Sequence, residues 1–234
     1  MSSNGTTPHH PPPTAAPGPV PDPTGPATAT LDPRELWEHV TAAGRASHAA
    51  ETWRASVPTR FADLTLDTLA ALDPPPSPQA IQSLRDWSQA PVRNVILIGT
   101  IGAGKTGAAI AAVDAAVAAT HVSARFFVYT ELLDAFRDGD LKVRDVARVP
   151  LLVIDELGGG RSAPTEYEAE KIEMLVNRRY LDGLPIVATT NLEPEQLQVR
   201  IGERAYDRLR DGALAVQLTS PGSRRGGTTP GGNR

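Results

Sequence analysis

The chain has 234 residues, room for one α/β domain of ordinary size plus tails. It contains no cysteine, which excludes disulfides and cysteine-ligated zinc. A net charge of −4 and a pI of about 5.7 give no general attraction to nucleic acid, so any such contact has to come from a local patch.

Ten of the 22 prolines lie within residues 1–33, among Thr, Ala and Gly. Such a segment buries too little surface to offset its ordering entropy, and a disordered tail is expected there. His9 and His10 have no further ligands beside them and are not read as a metal site. Asp32-Pro33 supplies an N-cap and a proline at the first helical position, opening one or two short helices over residues 34–56. Their stripe of Leu36, Trp37 and Val40 serves either packing or a partner. No apolar run reaches the roughly 20 residues of a membrane span, and Met1-Ser2-Ser3-Asn4 resembles no secretory signal, so a cytoplasmic protein is expected.

From Val57 the pattern becomes globular, with one domain expected over residues 57–220 and a flexible tail over 221–234. After the break Asp73-Pro74-Pro75-Pro76-Ser77-Pro78, a helix through Ile81, Leu84 and Trp87 leads into the apolar strand Val95-Ile96-Leu97-Ile98. An alanine-rich helix from Lys105 to about Ala119 follows, then a strand from Arg125 to Tyr129 and a helix from Glu131 to Arg137. The strand Val149–Ile154, a longer helix Glu166–Leu181 and the strand Ile186–Thr190 come next. Two short helical pieces, Glu195–Gln198 and Glu203–Leu209, precede a last strand at Leu214–Leu218. Continuous apolar strands separated by helices predict a five-stranded parallel sheet covered on both faces.

Three strand ends carry the chemistry. Gly99-Thr100-Ile101-Gly102-Ala103-Gly104-Lys105-Thr106 reads G-x-x-x-x-G-K-T between a strand and a helix, the pattern of a loop that cradles a nucleoside triphosphate. Glycines let successive N–H groups point inward, and the helix N-terminus adds partial positive charge. The expected nucleotide-binding set is Gly99, Gly102, Ala103, Gly104, Lys105, Thr106 and Gly107, with Lys105 on the β- and γ-phosphates and Thr106 on Mg²⁺. In Leu151-Leu152-Val153-Ile154-Asp155-Glu156 an apolar strand runs into two acids: Asp155 is expected to hold the metal and Glu156 to polarise the attacking water. Asn191, after Thr189-Thr190, is expected to bind the γ-phosphate or orient that water; the alternative is an ordinary turn residue. Arg178-Arg179-Tyr180, with Lys142 and Arg144, reads either as a track for a single nucleic-acid strand or as a solvated helix face.

The ordered set Gly99–Thr106, Leu151–Glu156, Ala188-Thr189-Thr190-Asn191 and Ile201-Gly202-Glu203-Arg204-Ala205-Tyr206-Asp207-Arg208-Leu209 resembles the AAA+ ATPases of the DnaC-type helicase-loader and IstB-type transposition-helper group. Val57-Pro58-Thr59-Arg60-Phe61 is similar to the short I-P-x-x-[FY] stretch that precedes the ATPase core there. The resemblance covers about residues 57–225. It implies an AAA+ P-loop NTPase fold with the Asn191 strand between the other two motif strands, and ATP and Mg²⁺ as ligands. It also implies ATP hydrolysis and self-association, with either a replicative helicase loaded on single-stranded DNA or, as the alternative, a transposase helped on duplex DNA. Arg208 would be an arginine finger acting on a neighbouring subunit's ATP, with Arg204 the competing candidate. Arg225, in Ser223-Arg224-Arg225, resembles the closing S-x-R whose arginine senses nucleotide in cis. Too few residues follow the last strand for a helical lid, and the segment before Val57 is shorter than the usual helicase-gripping domain. Against a small-molecule phosphotransferase, the chain has no evident acceptor-binding insertion, and a scaffold that hardly hydrolyses would not need Glu156.

Overall fold

The computed structural model describes residues 33–72, 75–160 and 165–219, with side chains from residue 42 onward. The expected tail before Pro33, the side chains of Leu36, Trp37 and Val40, and the segment after Thr219 lie outside the described residues. The chain divides into two units, Met1–His39 and Val40–Arg234, and the second contains every described strand.

Helix α1 (Pro33–Ser56) is one 24-residue helix rather than two short ones. Its alanines favour helix, no proline interrupts it after Pro33, and Gly44 alone costs only about 1 kcal/mol relative to alanine. A 3-10 turn (Thr59–Phe61), α2 (Leu66–Ala70) and α3 (Pro78–Gln89) then lead to β1 (Val95–Ile98) and α4 (Lys105–Thr120). Next come β2 (Ala124–Val128), α5 (Tyr129–Asp138), α6 (Val143–Ala147), β3 (Leu151–Asp155) and α7 (Glu166–Asp182). The described chain closes with β4 (Ile186–Thr190), α8 (Pro194–Ile201), α9 (Glu203–Arg210) and β5 (Leu214–Gln217). Tyr129, expected at the end of a strand, instead opens α5 with its ring buried. No helix follows β5 among the described residues.

The five strands are all parallel and run in the order β2-β3-β4-β1-β5. As the resemblance implied, β4 lies between β1 and β3. Register brings Ile98 level with Thr190 and Gln217, and Ile154 level with Ala188. The loops after β1, β3 and β4 therefore leave the same edge of the sheet, where ligands of open α/β sheets bind.

Alternation along the strands divides the core. Val95, Leu97, Leu151, Val153 and Val216 face α1, α2, α3 and α4, while Ile96, Leu152, Ile154 and Ala188 face the layer from α5 to α9. Helix α4 is apolar nearly all round and buries nine residues, five of them alanine, so it lies close against the sheet. Helix starts carry the expected chemistry. Ser77 accepts from the Ala80 N–H ahead of Pro78 at α3, and Thr165 with Glu168 forms a reciprocal capping box at α7.

Two polar side chains tie the layers at the opposite sheet edge. Arg179, expected on a nucleic-acid track or a solvated face, is fully buried. Its Nη1 donates to the carbonyls of Ala147 and Val149 at 3.1 and 2.6 Å, and its Nη2 to those of Pro150 and Pro185 at 3.2 and 2.6 Å. It thus pins α6 and the entrances of β3 and β4 to α7. Burial pulls its pKa down to about 9, with Asp182 opposing, so the guanidinium stays charged at neutral pH. Asn94, just before β1, accepts the Ile186 N–H with Oδ1 at 2.8 Å and donates from Nδ2 to the Leu209 carbonyl at 2.8 Å.

Replacing Arg179 by methionine keeps the side-chain volume and strands several buried carbonyls. Arg179→Met is expected to lower unfolding stability by about 3 kcal/mol, read from urea denaturation; an unchanged midpoint would show that the clamp is dispensable.

Candidate functional site: a phosphate loop facing an acidic strand end

At the end of β1 the backbone has no room for a side chain. The Leu218 N–H donates to the Ile98 carbonyl at 2.8 Å, and a Cβ on Gly99 would lie 2.1 Å from the Leu218 oxygen. The loop then passes through Gly102 and Gly104 at φ +83° and +87°, values that L side chains rarely adopt. Gly104 is the N-cap of α4 and offers no capping side chain, so the first N–H groups of that helix remain available to an anion. Ala103 is buried under the loop. Gly107 lets the Leu64 methyl pack onto the first turn of α4, since a Cβ there would meet it at 2.7 Å.

Lys105 Nζ donates to the carbonyls of Gly99 and Thr100 at 2.7 and 2.9 Å. Partial burial lowers its pKa from the usual lysine value, against the opposing pull of Asp155 and Glu156. Thr106 Oγ1 donates to Asp155, 2.9 Å from Oδ1 and 3.1 Å from Oδ2. A hydroxyl and a carboxylate side by side at a phosphate loop are hard oxygen donors suited to Mg²⁺, which takes one or two protein ligands and completes its shell with phosphate and water.

Asp155 is itself buried, and Thr189 Oγ1 donates to its Oδ1 at 2.6 Å. The same Thr189 oxygen accepts the Glu156 N–H at 2.9 Å, and the Thr189 carbonyl accepts the Leu157 N–H at 2.8 Å. Thr190 Oγ1 donates to the Leu157 carbonyl at 3.0 Å. These bonds hold Glu156 in a left-handed turn at φ +57°, a conformation that costs a non-glycine residue about 1–3 kcal/mol. The turn swings its carboxylate out of the sheet to an exposed position. Asn191, also exposed, follows directly on β4.

A cleft of about 580 Å³ joins these groups. Gly102, Gly104, Lys105, Thr106, Gly107, Glu156, Thr189 and Asn191 all line it, so most of the expected site converges. The apolar wall was not anticipated: Phe61, Leu64, Leu69, Leu72 and Ile101 line the same cleft, with the Arg60 guanidinium 4.6 Å from the Phe61 ring centroid. Its signal in the sequence was the apolar spacing of residues 61–72. Polar strand ends beside such a wall suit a ligand that is anionic at one end and flat and apolar at the other.

Arg208 is not among the residues lining that cleft. It lies in the last turn of α9, 5.9 Å over the Tyr180 ring, on a separate groove of about 900 Å³ floored by Ile96, Ile98 and Ala215. Arg204 points elsewhere, exposed and 3.8 Å from Glu173. Arg225 lies outside the described residues.

Sheet order, phosphate loop and acidic strand end together define a P-loop NTPase of the AAA+ kind. The chain matches the family described as IstB-like ATP binding protein over residues 59–213, and it belongs to that family. It is similar to the replicative helicase loader DnaC of Escherichia coli K12, 33% identical over 89 residues, covering 36% of each protein. It is also similar to the Bacillus subtilis protein YqaM, 26% identical over 134 residues, covering 53% of this chain and 43% of that one. The chain thus spans less than half the length of these two relatives. A crystal structure of the DnaC helicase loader shares the fold, with a TM-score of 0.60 at 20% identity over 69% of this chain and 99% of that one.

Thr189→Val keeps a β-branched residue in the sheet while depriving Asp155 of a donor and Glu156 of an acceptor. A loss of about 2 kcal/mol is expected on denaturation, against under about 1 kcal/mol for Thr189→Ser. Equal stabilities for the two variants would show that the hydroxyl is not the fixing element.

Proposed function

We propose that this chain is a self-assembling ATPase that places a replicative helicase on single-stranded DNA. The observation that carries the ATPase half is the direct contact of Thr106, which lines the cleft, with buried Asp155, with Glu156 and Asn191 lining the same cleft. The likeness to a helicase loader supports the partner. Helping a transposase is the second reading, and it is favoured by the match to the IstB-like family. Co-purification of the full chain with a hexameric helicase or with a transposase separates the two. No helix among the described residues is long and apolar enough to cross a membrane.

In this reading the backbone N–H groups of Gly102 to Gly107 cradle the phosphates, and Lys105 exchanges its two carbonyl acceptors for β- and γ-phosphate oxygens. Thr106 and Asp155 hold Mg²⁺, which when bound offsets charge on those oxygens. The apolar wall from Phe61 to Leu72 receives the base. Glu156 polarises the water that attacks the γ-phosphorus, and Asn191 orients it or the γ-phosphate. Arg208, set apart from its own cleft, reaches the ATP of a neighbouring copy and stabilises charge in the transition state. The working domain is residues 57–220, and Arg225 senses nucleotide in cis.

Glu156→Gln is expected to retain Mg²⁺-ATP binding in calorimetry while turnover falls about 10²–10⁴-fold, because an amide is a poor base. Normal hydrolysis by this variant would reduce Glu156 to a turn residue.

Arg208→Ala should bind ATP normally and hydrolyse it about 10³-fold more slowly. Mixing it with Lys105→Ala, which keeps a finger but cannot hold ATP, should restore activity, and wild-type rates should rise faster than linearly with concentration. No rescue together with a linear dependence would mean a site complete within one chain.

A further inference from the structure

The last four carbonyls of an α-helix have no partner within it. At the end of α9 the Asp207 carbonyl accepts the Asp211 N–H and the Arg210 carbonyl accepts the Ala213 N–H, each at 3.1 Å. The two left over, those of Arg208 and Leu209, both face Asn94 Nδ2, at 3.4 and 2.8 Å. The other end of that amide accepts the Ile186 N–H of β4, and the Asn94 main-chain oxygen accepts the Leu214 N–H of β5 at 2.8 Å. The oxygen end of the amide thus meets one donor and the NH₂ end two acceptors. Flipping it would set its oxygen against two carbonyls and its NH₂ against an N–H, so the orientation is fixed.

Asn94 is also the residue before β1, whose far end is the phosphate loop. One short strand therefore carries the phosphate site at its C-terminal end and the last turn of α9 at its N-terminal end. Buried Ala205 and Leu209 seat α9 on the core, and the Tyr180 ring lies beneath the guanidinium. The Tyr180 hydroxyl also donates to Asp211 Oδ2 at 3.0 Å just past the helix, and the Asn94 amide adds a bond to the main-chain carbonyl of Arg208 itself.

We infer that Asn94 is a positioning residue for Arg208: its amide fixes the last turn of α9, and so the direction in which the guanidinium leaves the subunit. This rests on the reading of Arg208 as a finger offered to a neighbouring copy. Asn94 then acts in the site of another chain while leaving its own untouched, an asymmetry that a general role in folding would not produce.

Asn94→Asp separates the two ends of the amide, since it keeps an oxygen for Ile186 and removes the donor to α9. The full-length variant should bind Mg²⁺-ATP with wild-type affinity while melting several degrees lower, because its second carboxylate oxygen faces two carbonyls. Its turnover should fall about 100-fold, the order expected when a catalytic group is misplaced by about 1 Å. Mixed with Lys105→Ala it should regain activity, because the partner supplies a sound finger. Mixed with Arg208→Ala it should stay inactive, because neither chain offers one. If the aspartate variant unfolds at assay temperature, Asn94→Ala is put through the same mixtures, and loss of ATP binding by both variants would overturn the assignment. So would wild-type turnover, rescue by Arg208→Ala, or failure of Lys105→Ala to rescue. Failure of the Arg208→Ala and Lys105→Ala pair itself would instead sink the shared-site reading. Rescue in that pair without rescue of Asn94→Asp would sink only the role of Asn94.

Discussion

A carboxylate taken out of water has to be met by donors, and Asp155 meets two hydroxyls: Thr106 from the first turn of α4 and Thr189 from β4. That three-way contact sets the spacing of the site. It ties the phosphate-loop helix to β3, ties β3 to the strand between it and β1, and passes through the same Thr189 oxygen to the Glu156 backbone. Hydrogen bonds to a charged acceptor contribute about 1.5–3 kcal/mol each, so the arrangement is stiff as well as compact. The phosphate loop and the acidic turn are placed relative to one another by this carboxylate more than by the connections between them.

The sheet order makes the contact possible. Because β4 lies between β1 and β3, its last residues reach toward the loops of both neighbours, and Thr189, Thr190 and Asn191 have three separate tasks. Thr189 holds the acids, Thr190 bonds the Leu157 carbonyl, and Asn191 is left exposed on the cleft. The close packing of alanine-rich α4 complements this from the other side. It brings the start of the helix against Leu64, so the apolar wall and the phosphate loop share one packing surface.

Much of this was legible in the sequence because it is written in short contiguous runs. Four apolar residues followed by Gly99, four followed by Asp155, and a strand closing on Asn191 each announce a strand and the residue that leaves it. Helices α2 and α6, at five residues each, are too short to show a helical period and went unpredicted. Arg179 differs from expectation because one arginine among charged neighbours looks solvated; its burial depends on four carbonyls from residues 147 to 185, which no local pattern reveals. The apolar wall escaped for a related reason, since Phe61 and Leu72 come to line the cleft only in the folded chain. The pairing of Asn94 with residues more than 90 positions away is likewise a tertiary fact.

The left-handed turn at Glu156 has a consequence for how this sequence can drift. Glycine or asparagine would occupy that conformation with less strain, so the most stable chain with this backbone would not carry glutamate there. Random substitution followed by screening for thermal resistance should therefore enrich replacements at this one position, each of which removes the carboxylate from the cleft. Under the proposed function, position 156 is thus a place where selection for endurance and selection for the cleft's chemistry pull in opposite directions.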